Sequence, residues 1–538
     1  MTSATTEPRR DTEPGSAADP PRGSNVRFVF LGVGLMIAGL GAVLVAEAFD
    51  VAPEPRVVGG NLPVNQGAIE AADVSAHNSP RLAQNPVDED NLVVTNRIDT
   101  PGYSCALHVS YDGGATFRQV AIPVPAGEEP KCYAPDVAFS SDGMLHMIFV
   151  TLSGQANVPN AVWHVRSDDG GRSLGEPMRV VGELAFQVGL EADPVVPERL
   201  YLTWVQADEV GLYRFTDPGN PIMVMVSDDG GETWGDPAEV SDPARQRVVT
   251  PVAGIGPDGR LRVLYVDVGE DRLDYDGAHE GRGGPPHPGR FTLVLATSPD
   301  GGETWSETEV GTMAPPDRFI VFNPPSPSLA IDQSDGSVYV AFHDRVNGGA
   351  RVSMWTSRNG GDSFGPPLRV DDTDEDDETS QYLPHIAVSL AGRIDVVYYD
   401  RREDPQNVMN EVSLQSSIDG GESFSRRVTL TDRPFDSRIG FGSQRDMADL
   451  GTTLSLLSTD DRAMAVWTDT RAGTEESNKQ DIVRQFVAFT DEPSASPAVR
   501  QLLPRGGWLA MLAGASLVLV PAARRARSVS SGSSSPGR

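Results

Sequence analysis

Four short strings place arginine beside aspartate: Arg97-Ile98-Asp99, Asp344-Arg345, Asp400-Arg401-Arg402 and Asp469-Thr470-Arg471. Each follows a run rich in apolar residues, so each falls where a strand gives way to a loop. Two chemistries suit such residues. Guanidiniums converging from different loops bind a carboxylate through paired N–H donors. Alternatively, each aspartate pairs with its own or a neighbouring arginine and staples the loops together. The ligand-binding candidates are Arg97, Asp99, Asp344, Arg345, Asp400, Arg401, Asp469 and Arg471. A separate acidic run, Asp371–Glu378, reads DDTDEDDE. Such carboxylates suit Ca²⁺, but the run lacks the fixed glycine and ligand spacing of a calcium loop, and a solvated acidic loop is the competing reading. The eight histidines show no metal-ligand spacing. No phosphate-binding glycine loop or nucleophile elbow occurs, so no other metal or cofactor is expected.

The composition narrows what positions these residues. The chain has 538 residues and a net charge of −32, with Lys131 and Lys479 its only lysines. That balance excludes nucleic acid as a partner, because a phosphate backbone needs clustered cations. Its simplest meaning is a soluble, self-repelling surface. There are 55 glycines and 43 prolines, and aromatics make up only 7%. Frequent turns between short strands produce such a mix; long helices do not.

One pattern recurs six times: Ser-x-Asp-Gly-Gly-x-Thr/Ser-aromatic. Four copies are complete (SYDGGATF at 110–117, SDDGGETW at 227–234, SPDGGETW at 298–305, SIDGGESF at 417–424). Two are degraded (SDDGGRSL at 167–174, SRNGGDSF at 357–364). The central residues, Asp112, Asp169, Asp229, Asp300, Asn359 and Asp419, are 57, 60, 71, 59 and 60 residues apart. A period near 60 means one structural unit stacked many times. An alternating strand precedes the motif, as in Ile222–Val226. The glycine pair accepts positive φ, the aspartate accepts turn N–H groups, and the aromatic folds back to cover the hairpin. The motif is thus a structural clasp.

Two strands precede each clasp. The first often follows a proline and carries small residues, as in Pro135-Asp136-Val137-Ala138-Phe139. The second is apolar, as in Leu145–Val150. A fourth, outer strand follows the clasp, such as 118–124 or 368–370. Four antiparallel strands per period define a propeller blade. Strand pairs start near residues 80, 135, 194, 251, 327, 384 and 449, which predicts an all-β, seven-bladed β-propeller, with six blades the alternative. The last unit lacks a clasp; its third strand is Ile482–Phe489, and the stretch near Val57 and Val58 supplies its outer strand and closes the ring.

These repeats resemble the Asp-box (BNR) repeats of the sialidase, or neuraminidase, superfamily across roughly residues 75–490, most closely bacterial sialidase-like proteins that carry an Asp-x-Arg motif such as Asp469-Thr470-Arg471. The resemblance implies that the face opposite the Asp boxes, where the arginine–aspartate strings fall, holds the ligand site. It also implies three arginines on a sugar carboxylate, a Tyr–Glu nucleophile and an aspartate acid/base. The family's first arginine lies in Arg-Ile-Pro; here Arg97-Ile98 is followed by Asp99, on a second strand. Tyr382 and Tyr399 are candidate nucleophiles by location only, no glutamate partner can be selected, and no catalytic residue is carried over. The expected function is recognition of a glycan or other cell-envelope ligand, with exo-α-sialidase or a related glycoside hydrolase and a non-binding scaffold as alternatives.

Both ends point to a membrane. Phe28–Ala46 is apolar and uncharged, long enough for a hydrocarbon core of roughly 30 Å, and follows Arg22 and Arg27. An uncleaved anchor is expected; a signal peptide cleaved near Ala46-Glu47-Ala48 is the rival. Gly507–Ala523 precedes Arg524, Arg525 and Arg527 and reads as a second membrane helix, with a cell-wall sorting signal through Leu503-Pro504 as the weaker likeness. The expected organisation is a cytoplasmic tail (1–26), anchor (27–49), linker (50–74), propeller (75–490), linker (491–505), membrane helix (506–523) and Ser-rich cytoplasmic tail (524–538), with the propeller on the extracytoplasmic side. Cys105 and Cys132, the only cysteines, read there as a disulfide, worth roughly 3 kcal/mol, or else as two buried thiols.

Overall fold

The computed structural model describes residues 33, 35–38, 55–65, 73–209, 219–271, 289–314, 326–440, 448–489 and 510–513. Ala52–Asp491 form one compact unit, and the two termini group separately. The described part of the larger unit is all β. Seven sheets each hold four strands in hydrogen-bonded sequence, and the sixth adds a two-residue strand at Phe435–Asp436. This is the seven-bladed propeller.

The innermost strands are His77–Asn85, Cys132–Phe139, Ala185–Ala192, Val248–Ile255, Ser328–Ile331, Gln381–Val388 and Ser455–Ser458. Two differ from the sequence reading. In the third blade the strand ends before residue 194, because Asp193 turns the chain by accepting the N–H groups of Val195 and Val196. In the seventh it begins after residue 449, at Ser455. The outer strands are also shorter, Arg118–Val120 and Leu368–Arg369, since an edge strand has a partner on one side only.

The ring closes through the N-terminal segment. Pro55–Pro63 pairs antiparallel with Asp481–Phe489 and completes the seventh blade, with Val57 opposite Val487. Asn61 fixes this edge strand: its Nδ2 donates to Gln485 and to the Leu430 carbonyl of the sixth blade, and its Oδ1 accepts the Asp432 N–H.

The core is divided among the blade interfaces. Seven apolar clusters occur, one between each adjacent pair, including Leu92, Val94, Met464, Val466 and Ile482 between blades seven and one. The second strands are buried along nearly their whole length, as Ile394–Asp400 shows, because both of their faces meet a neighbouring sheet. Trp305 folds back on its own hairpin, its Nε1 donating to the Gly302 carbonyl (3.1 Å), and the clasp aromatics also reach the neighbouring blade. Phe117, Trp234, Trp305, Phe364 and Phe424 pack into the cluster shared with the preceding blade. Twisted sheets fanned about an axis leave a wedge-shaped gap at the outside, and a large flat ring fills it.

The clasp itself is local. Ser110 Oγ donates to Asp112 Oδ1 (2.7 Å) and accepts the Gly114 N–H (2.9 Å), while Asp112 accepts the Thr116 N–H (2.8 Å) and hydroxyl (2.6 Å). Gly113 and Gly114 have φ of +66° and +83°. A Cβ on Gly114 would lie 3.0 Å from Leu92 and from Met464 of the neighbouring blade. The clasps also grip the blade before them. The Gly170 carbonyl accepts Asn91 Nδ2 and the Tyr111 hydroxyl, that of Gly230 accepts Arg166, and that of Gly360 accepts Arg262. All six clasps join third to fourth strands and share one rim. In the fifth, Asn359 reproduces the geometry without a charge: Oδ1 accepts Ser357 and the Ser363 N–H, and Nδ2 donates to Ser363.

Cys105 and Cys132 form a disulfide with Cα atoms 5.5 Å apart. Cys132 is the first residue of the second blade's inner strand. The described parts of the two terminal apolar segments, Val33, 35–38 and 510–513, are helical, and the rest of those segments lies outside the described residues. Among the described residues no helix is long and apolar enough to cross a membrane.

The Thr233 and Thr304 hydroxyls, with their backbone N–H groups, hold the Asp229 and Asp300 carboxyls down to about 2, against an ordinary 3.8. A depressed carboxyl contributes stability above its unfolded value and loses it as pH falls through the folded value. Denaturant melts are therefore expected to lose stability between about pH 4 and pH 2, and Asp229→Asn with Asp300→Asn should flatten that limb. Asp419→Ala, which leaves N–H groups unpaired, should cost about 1–2 kcal/mol. Reducing the disulfide should lower unfolding free energy by about 3 kcal/mol, measured with and without a phosphine reductant.

Candidate functional site

The rim opposite the clasps opens into a cavity of about 80 Å³ on the propeller axis, bordered by Ser79, Arg81, Arg97, Tyr133–Asp136, Gln187, Val188, Thr250, Pro251, Ser326 and Thr452. A smaller pocket adjoins it through Arg81, Ser326 and Thr452 and brings in His385. Nearly all of these come from inner strands, and one backbone device presents them. Five inner strands shift register near their mouth end, between Asn78 and Arg81, Tyr133 and Asp136, Phe186 and Gly189, Val249 and Val252, and Tyr382 and His385. Within each bulge a non-glycine residue has positive φ: Ser79 (54°), Ala134 (48°), Gln187 (51°), Thr250 (58°) and Leu383 (51°). Four of these precede a proline. Such residues cost of order 1 kcal/mol each and persist where surrounding structure fixes them.

Contacts between neighbouring blades fix the bulges here. The Thr250 N–H donates to Gln187 Oε1 (2.7 Å), the Thr452 N–H to Ser79 Oγ (3.1 Å), the Leu190 N–H to Asp136 Oδ2 (3.0 Å), and the Leu383 N–H to His343 Nδ1 (3.4 Å). At Thr250 and Leu383 the bulged N–H is thus satisfied by a side chain of the preceding blade, and Ser79 and Asp136 tie two more bulged strands to their neighbours.

The charged groups at the mouth come in opposed sets. Arg97 Nε lies 2.6 Å from Asp99 Oδ1, and both side chains are almost fully buried. Burial, the largest single effect, lowers the Arg97 pKa, but the charges of Asp99, Tyr133 and Asp449 and the hydrogen bond to Asp99 together raise it. The Tyr133 ring centre is 5.1 Å from that guanidinium. Arg81 Nε stands 3.9 Å from Asp136 Oδ1. Burial raises the Asp136 carboxyl, against Arg81 and the N–H groups of Leu190 and Val137. Burial, then the charge of Asp136, push Glu191 up to about 8, with Arg81 opposing. Burial, helped by Arg81, lowers His385 to about 3, so it is neutral.

Of the residues singled out from sequence, Arg97 borders this cavity, with Asp99 paired behind it. The others are engaged elsewhere. Asp344 accepts the Ala314 N–H, and the Arg345 N–H donates to the Ala314 carbonyl. Asp400 accepts Ser413 Oγ and Gln381 Nε2 and pairs with Arg402 at 2.8 Å. Arg401 is buried against Tyr382, Asn410, the Asn407 carbonyl and Ser437. Asp469 binds Trp467 Nε1 and Arg471, which also pairs with Asp432. Asp400, Arg401, Asp469 and Arg471 thus staple loops. A long Gly-, Pro- and His-rich stretch from Asp267 to Arg290 lies mostly outside the described residues. In the acidic run, Asp371 accepts Arg369 and the Val352 N–H, and Asp372 pairs with Arg402. The described residues contain no cluster of three metal-ligating side chains.

The two tyrosines considered as nucleophiles are sealed. Tyr382 and Tyr399 have no exposed surface. The Tyr382 hydroxyl donates to Asn410, and that of Tyr399 accepts the Thr468 N–H. A hydrogen-bonded Tyr265–Glu307 pair, completed by Arg245, does not border the mouth. Burial, then Glu307, raise the Tyr265 pKa, which opposes a tyrosinate.

Sequence reasoning missed Arg81, Tyr133, Asp136 and Gln187 as mouth residues, and missed Glu191, which is coupled to Asp136 and Arg81. One signal was present: Arg81, Asp136 and His385 each directly follow a proline on an inner strand.

No family model matches the chain. A curated sialidase of Micromonospora viridifaciens is 27% identical over 302 residues, covering 48% of this chain and 43% of that protein, so the chain matches less than half the length of this relative. Among solved structures, the α-L-arabinofuranosidase of Fusarium graminearum in complex with arabinobiose aligns at 17% identity and TM-score 0.41, over 68% of this chain and 95% of that one. A Hadza microbial sialidase aligns at 14% identity and TM-score 0.40, over 74% of each.

Because Glu191 keeps its proton more tightly folded than unfolded, stability is greatest below its ordinary value of 4.5 and falls as pH rises through about 8. Glu191→Gln should remove that fall and, above pH 8, exceed the parent by on the order of 1–3 kcal/mol, allowing for water in the channel. Denaturant unfolding at several pH values measures both.

Proposed function

We propose that this sialidase-like Asp-box propeller is a recognition module that binds a glycan or another cell-envelope ligand at its axial mouth. The supporting observation is the division of labour between its rims. One is locked by six clasps, whereas the other spends strained backbone to line a solvent-open cavity with hydroxyl, amide and guanidinium groups. Strain kept where it does not serve packing is the mark of a ligand site. Recognition is favoured over hydrolysis because Tyr382 and Tyr399 are buried and hydrogen-bonded. The low identity to a curated sialidase makes exo-α-sialidase the alternative to test.

The apolar segments 28–46 and 507–523, each with arginines on the side away from the propeller, favour tethering to a membrane with the propeller outside. The disulfide fits an oxidising compartment.

The full chain in detergent micelles, assayed with a fluorogenic sialoside and on a glycan array, separates the readings. Saturable glycan binding without turnover is the expected result. Release of the fluorophore, lost on Arg81→Gln or Arg97→Gln, establishes the hydrolase instead, and no response in either assay leaves a scaffold.

A further inference from the structure

The charges around the mouth specify which kind of glycan fits it, an inference that rests on reading the mouth as a glycan site. A site built for an anionic sugar needs uncompensated cations, and the described mouth offers two guanidiniums, each with a carboxylate partner. Arg97 is matched by Asp99, whose Oδ2 also accepts Asn78 Nδ2 (2.9 Å) and Arg97 itself (2.9 Å). Arg81 faces Asp136 at 3.9 Å, and its side chain is 31% exposed, which leaves donors turned toward the cavity. Glu191 is a third carboxyl next to this pair, and burial together with Asp136 already resists charge on it. The same two causes resist an anion arriving from solvent. The remaining side chains used here, Ser79, Gln187, Thr250 and Thr452, are neutral, and the whole chain carries −32.

We propose that the mouth takes an uncharged saccharide whose ring hydroxyls bridge Arg81 and Asp136, and that it rejects anionic sugars such as sialosides. The chemistry is complementary: a hydroxyl accepts from a guanidinium and donates to a carboxylate at once, so one diol satisfies both sides of a loosely spaced pair. An anion would be drawn to Arg81 but driven off by Asp136 and by the acidic surface. Tyr133, half-buried beside them, adds apolar ring surface of the kind a sugar face covers.

The test uses the full chain in detergent micelles against immobilised neutral oligosaccharides (gluco-, manno-, galacto- and arabino-series) and anionic ones (sialyllactose, oligogalacturonate, heparin fragments), at low and high salt. Saturable binding of a neutral series is expected, insensitive to salt, and weakened roughly tenfold or more by Asp136→Asn and by Arg81→Gln. Asp136→Asn keeps an oxygen for the Leu190 N–H, and no fold contact of Arg81 beyond Asp136 is cut by its substitution. Unchanged melting of both variants separates lost binding from lost fold. Salt-sensitive binding of anionic sugars alone overturns this inference and leaves glycan recognition standing. Neutral binding unmoved by both substitutions overturns the assignment of the pair. No saturable binding to either class overturns both.

Discussion

Closure of the ring is the constraint on which the rest of the structure depends. No blade buries its own apolar surface; each second strand is covered by the sheets on either side. Seven interfaces share the core, so leaving one open exposes two sheet faces. The last interface is completed by a strand from the beginning of the chain, Pro55–Pro63. Its residues are mostly exposed, so apolar burial contributes little to holding it. Ladder hydrogen bonds and Asn61, which bonds to blades six and seven, carry that task instead.

Polar contacts between blades set the orientation that apolar wedges alone leave loose. At the clasp rim, arginines reach forward to glycine carbonyls of the next blade. At the mouth, side chains of one blade receive the bulged N–H groups of another. A net charge of −32 works against compactness, and the fold answers with aspartates and arginines set opposite each other along the loops. Removing one partner of a buried pair such as Arg97–Asp99 leaves an uncompensated charge, which costs several kcal/mol. These pairs explain how an acidic chain with two lysines keeps its loops in register.

The same economy limits what the mouth does. Guanidiniums tied to their own carboxylates are poor grips for an anion. Tyrosines buried beneath Arg401 and Thr468 are poor nucleophiles. What remains open is a polar cavity shaped by backbone irregularity, suited to hydroxyl-rich ligands.

The clasps were legible in the sequence because the bonds among their serine, aspartate and threonine side chains fall within seven residues, and glycine pairs mark positive φ directly. Blade number followed from their spacing, and the seventh blade from strand patterns and from Val57 and Val58. The mouth was not legible. The strings Arg97-Ile98-Asp99 and Asp469-Thr470-Arg471 look alike as sequence, yet only one borders the cavity, since that depends on how far a strand runs before it turns. Arg81, Asp136 and Glu191 come from three different blades, separated by about one repeat each, and a bulge of one residue decides whether they face the axis. The sequence determined the repeat and its local turns, since those are set by neighbours along the chain. The tertiary structure alone decided which charges are neutralised and which remain open to solvent, because pairing and desolvation depend on atoms that meet only after the ring has closed.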